Sequence, residues 1–313
     1  MIKITASIFQ SKSIGCLFLA AFIATIAGCA SPNAANQIKS FSDATILTIS
    51  NTTQAFTLVE DIHYKEEVSE EIKNYNDKTG FVLSTIQPFM GSDALQVRLD
   101  VLNGLKSYAA NLSALMGKSS LTNLDQQTTK LGQALATVDT NLVKYSFFKT
   151  APATAQEIQI FTTAINALGH WLITYKQQKD AKQVIALMKG PVKSISELLQ
   201  RDFRILKQQL ALDNKETLEN EDRYLHDNLA RFDNNPGEKR AVIQQMAALT
   251  QEMKNDAAIF DFLESAAAKL EAAHSALEEV FSKNTTNITS LIQELTTESQ
   301  RISQYYSSLK TTK

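Results

Sequence analysis

Cysteine is nearly absent from this chain of 313 residues. The only two, Cys16 and Cys29, both lie within the first 30 residues. No disulfide can therefore form within the rest of the sequence, and its folded part has to be held together by packing alone.

Proline is scarce too, with five residues in the whole chain. Because proline inside a helix costs about 3 kcal/mol but is tolerated at helix ends, we interpret Pro88, Pro152, Pro191 and Pro236 as joints between helices. The stretches between them are rich in Ala, Leu, Gln, Glu and Lys, which favour helix. The predicted helices cover residues 37–77, 92–117, 121–148, 154–189, 192–232 and 238–283, followed by a last helix that ends near 309.

Neither positive nor negative charge is in large excess, since the chain has 31 basic and 33 acidic side chains. This balance gives no electrostatic reason to expect a nucleic-acid partner. The sequence also has no Gly-x-Ser-x-Gly motif of the kind that presents a nucleophilic serine. We therefore expect no enzyme activity and no cofactor.

What the chain does have is a regular apolar pattern in its last third. From Leu263 to Leu309, apolar or aromatic residues recur at alternating steps of four and three, which is typical of a heptad seam. This register continues through Thr285, Thr286 and Asn287, where the residue types favour a bend. The pattern predicts long coiled-coil-like helices.

The segment before this seam has apolar residues at steps of seven, and the two segments meet at Asn234-Asn235-Pro236-Gly237. We predict that they form an antiparallel hairpin about 40 residues long, or about 60 Å. The expected fold is an all-α, elongated helical bundle. Residues 37–313 form this bundle, either as one unit or as a bundle over 37–190 followed by a hairpin over 191–313.

The first 28 residues have the features of a secretion signal. Lys3 and Lys12 lie in a short basic region without acids, and an apolar core over residues 14–26 follows. This core is shorter than the roughly 20 residues that span a bilayer. We therefore predict that residues 1–28 are a removable signal peptide.

The end of this signal, Ile26-Ala27-Gly28-Cys29, resembles the lipobox of bacterial lipoproteins at each of its four positions. The resemblance implies cleavage before Cys29, diacylglycerol on its sulfur, and acylation of the new amino terminus with a chain such as palmitate. Several acyl chains give stable membrane anchoring, because each buried methylene contributes about 0.8 kcal/mol.

In this class an Asp directly after the lipidated Cys tends to retain the protein in the inner membrane, and Ala30 stands there instead. The resemblance therefore implies the inner leaflet of an outer membrane, facing the periplasm. A Gram-positive host is the alternative. Residues 29–36 are predicted to be a lipidated tether that reaches at most about 25 Å.

Two Glu-x-x-His pairs, Glu60 with His63 and Glu271 with His274, have the spacing that di-iron helical bundles use. A metal-dependent oxidoreductase is therefore an alternative function. Against it, no further glutamate from other helices is convincingly directed inward. We expect these histidines to be hydrogen-bonded within the bundle and predict no metal site.

Residues 158–175 contain no formal charge, and Trp171 and Tyr175 near one end are typical of interfacial anchors. A membrane-active protein that inserts this segment is a second alternative. Polar residues such as Asn166 interrupt the segment, however, and its apolar residues form one helical stripe. We therefore favour a non-enzymatic envelope lipoprotein that is attached to the membrane through Cys29 and binds a protein partner.

Overall fold

The computed structural model describes residues 32–75, 86–116, 181–282 and 288–311. This part of the chain contains six helices and no strand, which confirms the predicted all-α fold. The helices are α1 (Pro32–Asn74), α2 (Ser92–Met116), α3 (Ala181–Asp227), α4 (Leu229–Asn234), α5 (Pro236–Ser282) and α6 (Ile288–Thr311). Within these residues, no helix is both long enough and apolar enough to span a membrane.

Helices α3 and α5 form an antiparallel pair, each 47 residues long. Arg204 of α3 forms an ion pair with Glu264 of α5 at 3.2 Å, and Glu221 accepts a hydrogen bond from Gln245 at 3.5 Å. As the residue number rises along α3, the number of its partner on α5 falls. The predicted hairpin of helices is therefore present.

The hairpin turns at Asn235, where the sequence predicted a turn. The Glu238 N–H donates a hydrogen bond to Asn235 Oδ1 at 3.4 Å, so Asn235 caps the start of α5. Pro236 is the first helical residue, a position where its missing N–H costs nothing. Phe232 of the short helix α4 is buried and packs edge-on against the Tyr224 ring of α3 near this turn.

The interpretation of Pro191 as a joint is wrong, because α3 continues through it from Ala181 to Asp227. Apolar side chains on both sides of the proline, Met188, Val192 and Ile195, are completely buried. Burial of each stabilises the helix by about 1.5 to 3 kcal/mol, so together they outweigh the cost of about 3 kcal/mol for an internal proline.

Helix α6 folds back along α5 and does not continue it as one rod. Lys269 of α5 forms an ion pair with Glu298 at 2.8 Å, and the Arg301 guanidinium lies over the Phe262 ring. These contacts make α5 and α6 antiparallel. Two helices were predicted here, over 238–283 and to about 309, and the apolar repeat from Leu263 to Leu309 is divided between them; residues 283–287, where a bend was predicted, lie outside the described part.

Helix α1 is the central helix and contacts α2, α3, α5 and α6. It runs parallel to α6, since Thr48 and Asn51 bond to Ser299 and Ser303 respectively. Since α3 and α6 are both antiparallel to α5, α1 also runs parallel to α3, and His63 of α1 contacts Asp213 of α3. Along the first part of α1, five of the described helices therefore pack together, namely α1, α2, α3, α5 and α6.

Helix α1 begins at Pro32, five residues before its predicted start. Ala34 and Ile38 are buried, so the apolar core already holds this first turn in helical form. Residues 32–36 of the predicted tether are therefore helical.

Fewer of the described helices lie side by side toward the turn of the hairpin. Helix α2 reaches along α1 as far as Glu60, which accepts hydrogen bonds from the chain just before α2 begins. Beyond this level, the described helices that continue side by side are α1, α3 and α5, and beyond Asn74 the hairpin of α3 and α5 extends further. Among the described residues, we call the end where five helices lie together the base, and the end of the hairpin at Asn234 the tip.

An ion pair is buried inside the base. Arg98 of α2 holds Asp202 of α3 with two hydrogen bonds, from Nε at 2.7 Å and from Nη2 at 3.2 Å. Both side chains are at most 3% exposed. Such a pair fixes how α2 and α3 align, because either charge without its partner would be left in an apolar interior.

We expect Arg98→Met to lower the free energy of unfolding by about 3 to 5 kcal/mol, because it strands the Asp202 carboxylate. The double variant Arg98→Met/Asp202→Leu should recover most of this loss. Urea unfolding followed by circular dichroism measures both. Arg204→Ala, which breaks an exposed pair, is the control and should cost less than about 1 kcal/mol. Equal losses in the single and the double variant would contradict this account.

Candidate functional site

Three ionisable side chains are buried together near the level where α2 begins and α6 ends. His63 and Glu66 lie one turn apart on the same side of α1, and Asp213 faces them from α3. Their exposed fractions are 7%, 4% and 1% respectively. We call these three residues the junction cluster.

Hydrogen bonds orient two members of the junction cluster. His63 Nδ1 lies 3.1 Å from one Asp213 carboxylate oxygen, and Gln209 donates to the other oxygen. The second ring nitrogen of His63, Nε2, lies 3.5 Å from Glu67 but has no hydrogen-bond partner in the described part of the chain. The edge of the imidazole ring packs against Phe89.

The junction cluster is strongly acidic. Burial, followed by the charges of Glu216, Asp213, Glu70 and Glu67, raises the pKa of Glu66 to about 7. Each of these neighbours disfavours a negative charge on Glu66.

The acidic neighbours of His63 favour the positively charged form of its ring. Burial alone would lower the pKa of His63, but the hydrogen bond and charge of Asp213, together with Glu67 and Glu66, raise it. The surroundings of the ring therefore favour positive charge at this point of the bundle.

The three residues also have a geometry suited to a metal ion. One potential ligand atom from each of His63, Glu66 and Asp213 lies within 4.8 Å of the other two. Of the four candidates that the Glu-x-x-His spacing pointed to, only His63 belongs to this group.

Glu60 has a different role. Its two carboxylate oxygens accept the backbone N–H groups of Phe89 and Met90, at 3.1 and 2.8 Å. Burial raises the pKa of Glu60, and these two hydrogen bonds partly offset the effect. The side chain thus fastens the segment before α2 to α1 and does not form a ligand pair with His63.

His274 lies deep in the base, between the rings of Phe41 and Tyr108. Its Nε2 is 2.7 Å from the Tyr108 hydroxyl, as expected for a histidine that is hydrogen-bonded within the bundle. Phe41 precedes His63 by 22 residues on α1, or about 33 Å. The two Glu-x-x-His pairs, including Glu271 on α5, are therefore too far apart to form one di-metal site.

Sequence reasoning missed Glu66 and Asp213. A signal for Glu66 was present, since it follows His63 by three residues on one helix face. No local signal exists for Asp213, because it lies on another helix 150 residues later. Only the parallel packing of α1 and α3 brings it to His63.

Two other predicted features, the lipidated Cys29 and the uncharged segment 158–175, lie outside the described residues. Lipidation and membrane insertion stay predictions.

An open groove adjoins the junction cluster on the side toward the tip. It lies between α1, α3 and α5 and has a volume of about 380 Å³. Its lining combines apolar and charged side chains, namely Tyr64, Lys65, Val68, Ile72, Leu249 and Glu252 among others.

Comparisons with protein-family models, with curated proteins and with solved structures find no match for this chain.

His274 should make the stability of the protein depend on pH. Burial, together with the charge of Lys189, lowers the pKa of His274 to about 3 from 6.5. Below pH 6.5 the unfolded chain binds a proton at this residue, but the folded chain does not do so until about pH 3. Stability is therefore lost as the pH falls through this window, by about 2 kcal/mol at pH 5.

The variant His274→Gln keeps a polar group beside Tyr108 and removes this titration. We expect its free energy of unfolding to fall by about 2 kcal/mol less than that of the wild type between pH 7 and pH 5. Urea unfolding at both pH values measures the difference. The same pH dependence in both proteins would show that His274 is not a neutral buried imidazole.

Proposed function

We propose that this protein is an envelope lipoprotein, attached through Cys29 to the inner leaflet of the outer membrane, which serves as a non-enzymatic scaffold. In this role it presents a helical hairpin in the periplasm to a protein partner. The lipobox Ile26-Ala27-Gly28-Cys29 supports the anchor. The direction of the helices supports the presentation of the hairpin away from the membrane.

The direction of α1 is the observation that carries the proposal. Pro32, its first residue, follows Cys29 by three positions, so the base of the bundle would lie against the bilayer. Helix α3 runs parallel to α1, and the hairpin tip at Asn234 lies beyond the far end of α1. At 1.5 Å per residue, the tip would stand about 75 Å from the start of α1.

The hairpin tip has features suited to binding a partner. Tyr224 and Ile243 occupy matching positions on the antiparallel helices α3 and α5, and they are 40% and 48% exposed. We call these two side chains the distal patch. A protein partner that covered the patch would bury apolar surface, which stabilises association.

The scaffold role also agrees with the separation of the two Glu-x-x-His pairs. Glu60 binds backbone N–H groups, and His274 is enclosed by Phe41 and Tyr108. Neither residue is arranged to act on a substrate.

The anchor is tested by the variant Cys29→Ser in the native cell. We expect the wild-type protein to be found in the membrane fraction and to carry acyl mass at residue 29, and the variant to lack that mass. Membrane fractionation with mass spectrometry of the amino-terminal peptide measures both. An unmodified thiol at residue 29 of the wild type would refute the anchor.

The contact surface is tested by placing a photo-crosslinking amino acid at residue 243 in living cells. We expect a discrete protein adduct from this site. The matched control is residue 187, because Leu187 is 44% exposed but lies near the base of the bundle. Equal protein capture at both positions, or none at residue 243, would argue against the distal patch.

A further inference from the structure

The junction cluster has a property that the scaffold role does not require. His63, Glu66 and Asp213 are all buried and come from two helices, and one potential ligand atom from each lies within 4.8 Å of the others. Atoms that share one transition-metal ion lie about 3 to 4.4 Å apart, since each is about 2.0 to 2.2 Å from the metal. A small rotation of the side chains would therefore close the site around an ion.

A second observation points to a ligand. The His63 side chain is only 9% exposed, and its Nε2 has no hydrogen-bond partner among the described residues. This atom lies 3.5 Å from the carboxylate of Glu67, within ion-pair distance. A buried ring nitrogen without a hydrogen bond is uncommon, because leaving it so costs free energy. Coordination of a metal would use the imidazole, a preferred metal ligand.

Charge supports the same conclusion. Glu66 lies among four other acidic groups whose charges act on it, Glu216, Asp213, Glu70 and Glu67. Buried carboxylates are normally paired with cations or coordinate a metal. A divalent ion between Glu66 and Asp213 would offset this concentration of negative charge.

We propose that the junction cluster binds a divalent transition-metal ion of the zinc or manganese class, which ties α1 to α3. The ligands are the imidazole of His63 and the carboxylates of Glu66 and Asp213, with water completing the coordination. One imidazole with two carboxylates suits these metals, whereas calcium prefers six to eight oxygen ligands. This proposal is independent of the lipid anchor and of the partner.

The position of the ion gives it a structural consequence. Among the described helices, α2 and α6 no longer lie beside α1 past the junction cluster, whereas α3 and α5 do. Ile72, on α1 beyond this level, is more than half exposed. An ion held by both helices would stabilise the end of α1 against separation from α3.

The test uses the full chain, purified in detergent and stripped of metal with a chelator. Titration calorimetry with zinc chloride should show one saturable site, and thermal unfolding should shift to higher temperature when zinc is added. Glu66→Gln removes one ligand but keeps the shape of the side chain. We expect it to weaken zinc binding by at least about 10-fold, since even indirect supporting groups cost that much.

The matched control is Glu70→Gln. It removes the same charge one turn further along α1, but residue 70 does not belong to the junction cluster. We expect the control to bind zinc within about 3-fold of the wild type, because Glu70 is exposed, so solvent screens its charge, and it supplies no ligand atom. Equal weakening in both variants would show general attraction to acidic residues and would overturn the proposal.

X-ray absorption at the zinc edge provides a measurement that needs no variant. The spectrum of the wild-type complex should show one imidazole and otherwise oxygen ligands. Two or more imidazoles, or any sulfur, would place the ion elsewhere and refute the site. The absence of saturable zinc binding at concentrations up to about 1 mM, where the binding free energy is only about 4 kcal/mol, would refute it as well.

Discussion

Helix α1 touches each of the other long helices that the structure describes, so its polar side chains must find their hydrogen-bond partners inside the protein. Thr48 shares a hydrogen bond with Ser299 of α6 and also bonds to the carbonyl of Ala44. Asn51 donates to the Ser299 carbonyl and accepts from Ser303. A shift of one residue between α1 and α6 would break all the bonds between them, and they therefore fix the register around which the base is assembled.

Buried charges fix the remaining helices in the same way. Arg98 binds Asp202 between α2 and α3, and Asp213 faces His63 between α3 and α1. Apolar packing alone tolerates some sliding of one helix along another, whereas a buried ion pair has one position at which both charges are satisfied. These contacts hold the base together without a disulfide, and the hairpin of α3 and α5 extends from it toward the tip.

Prediction from the sequence succeeded where local chemistry decides and failed where packing does. Asn235 and Pro236 specify a cap and a first helical residue, so the turn of the hairpin was predictable. Pro191 was predicted to break a helix, but the burial of its neighbours outweighs that local cost. The heptad from Leu263 to Leu309 did not reveal that its second half packs back against the first, because two antiparallel helices produce the same repeat as two consecutive ones.

The sequence by itself determined that this protein is helical, which faces of its helices are apolar and where the long hairpin turns. Its lipobox predicts the anchor at Cys29. Only the tertiary structure decided that α6 folds back along α5 and that Asp213 meets His63. The physical reason is that periodicity along a helix records which side chains are buried but not which helix covers them, and contacts between distant segments depend on the packing of the whole bundle.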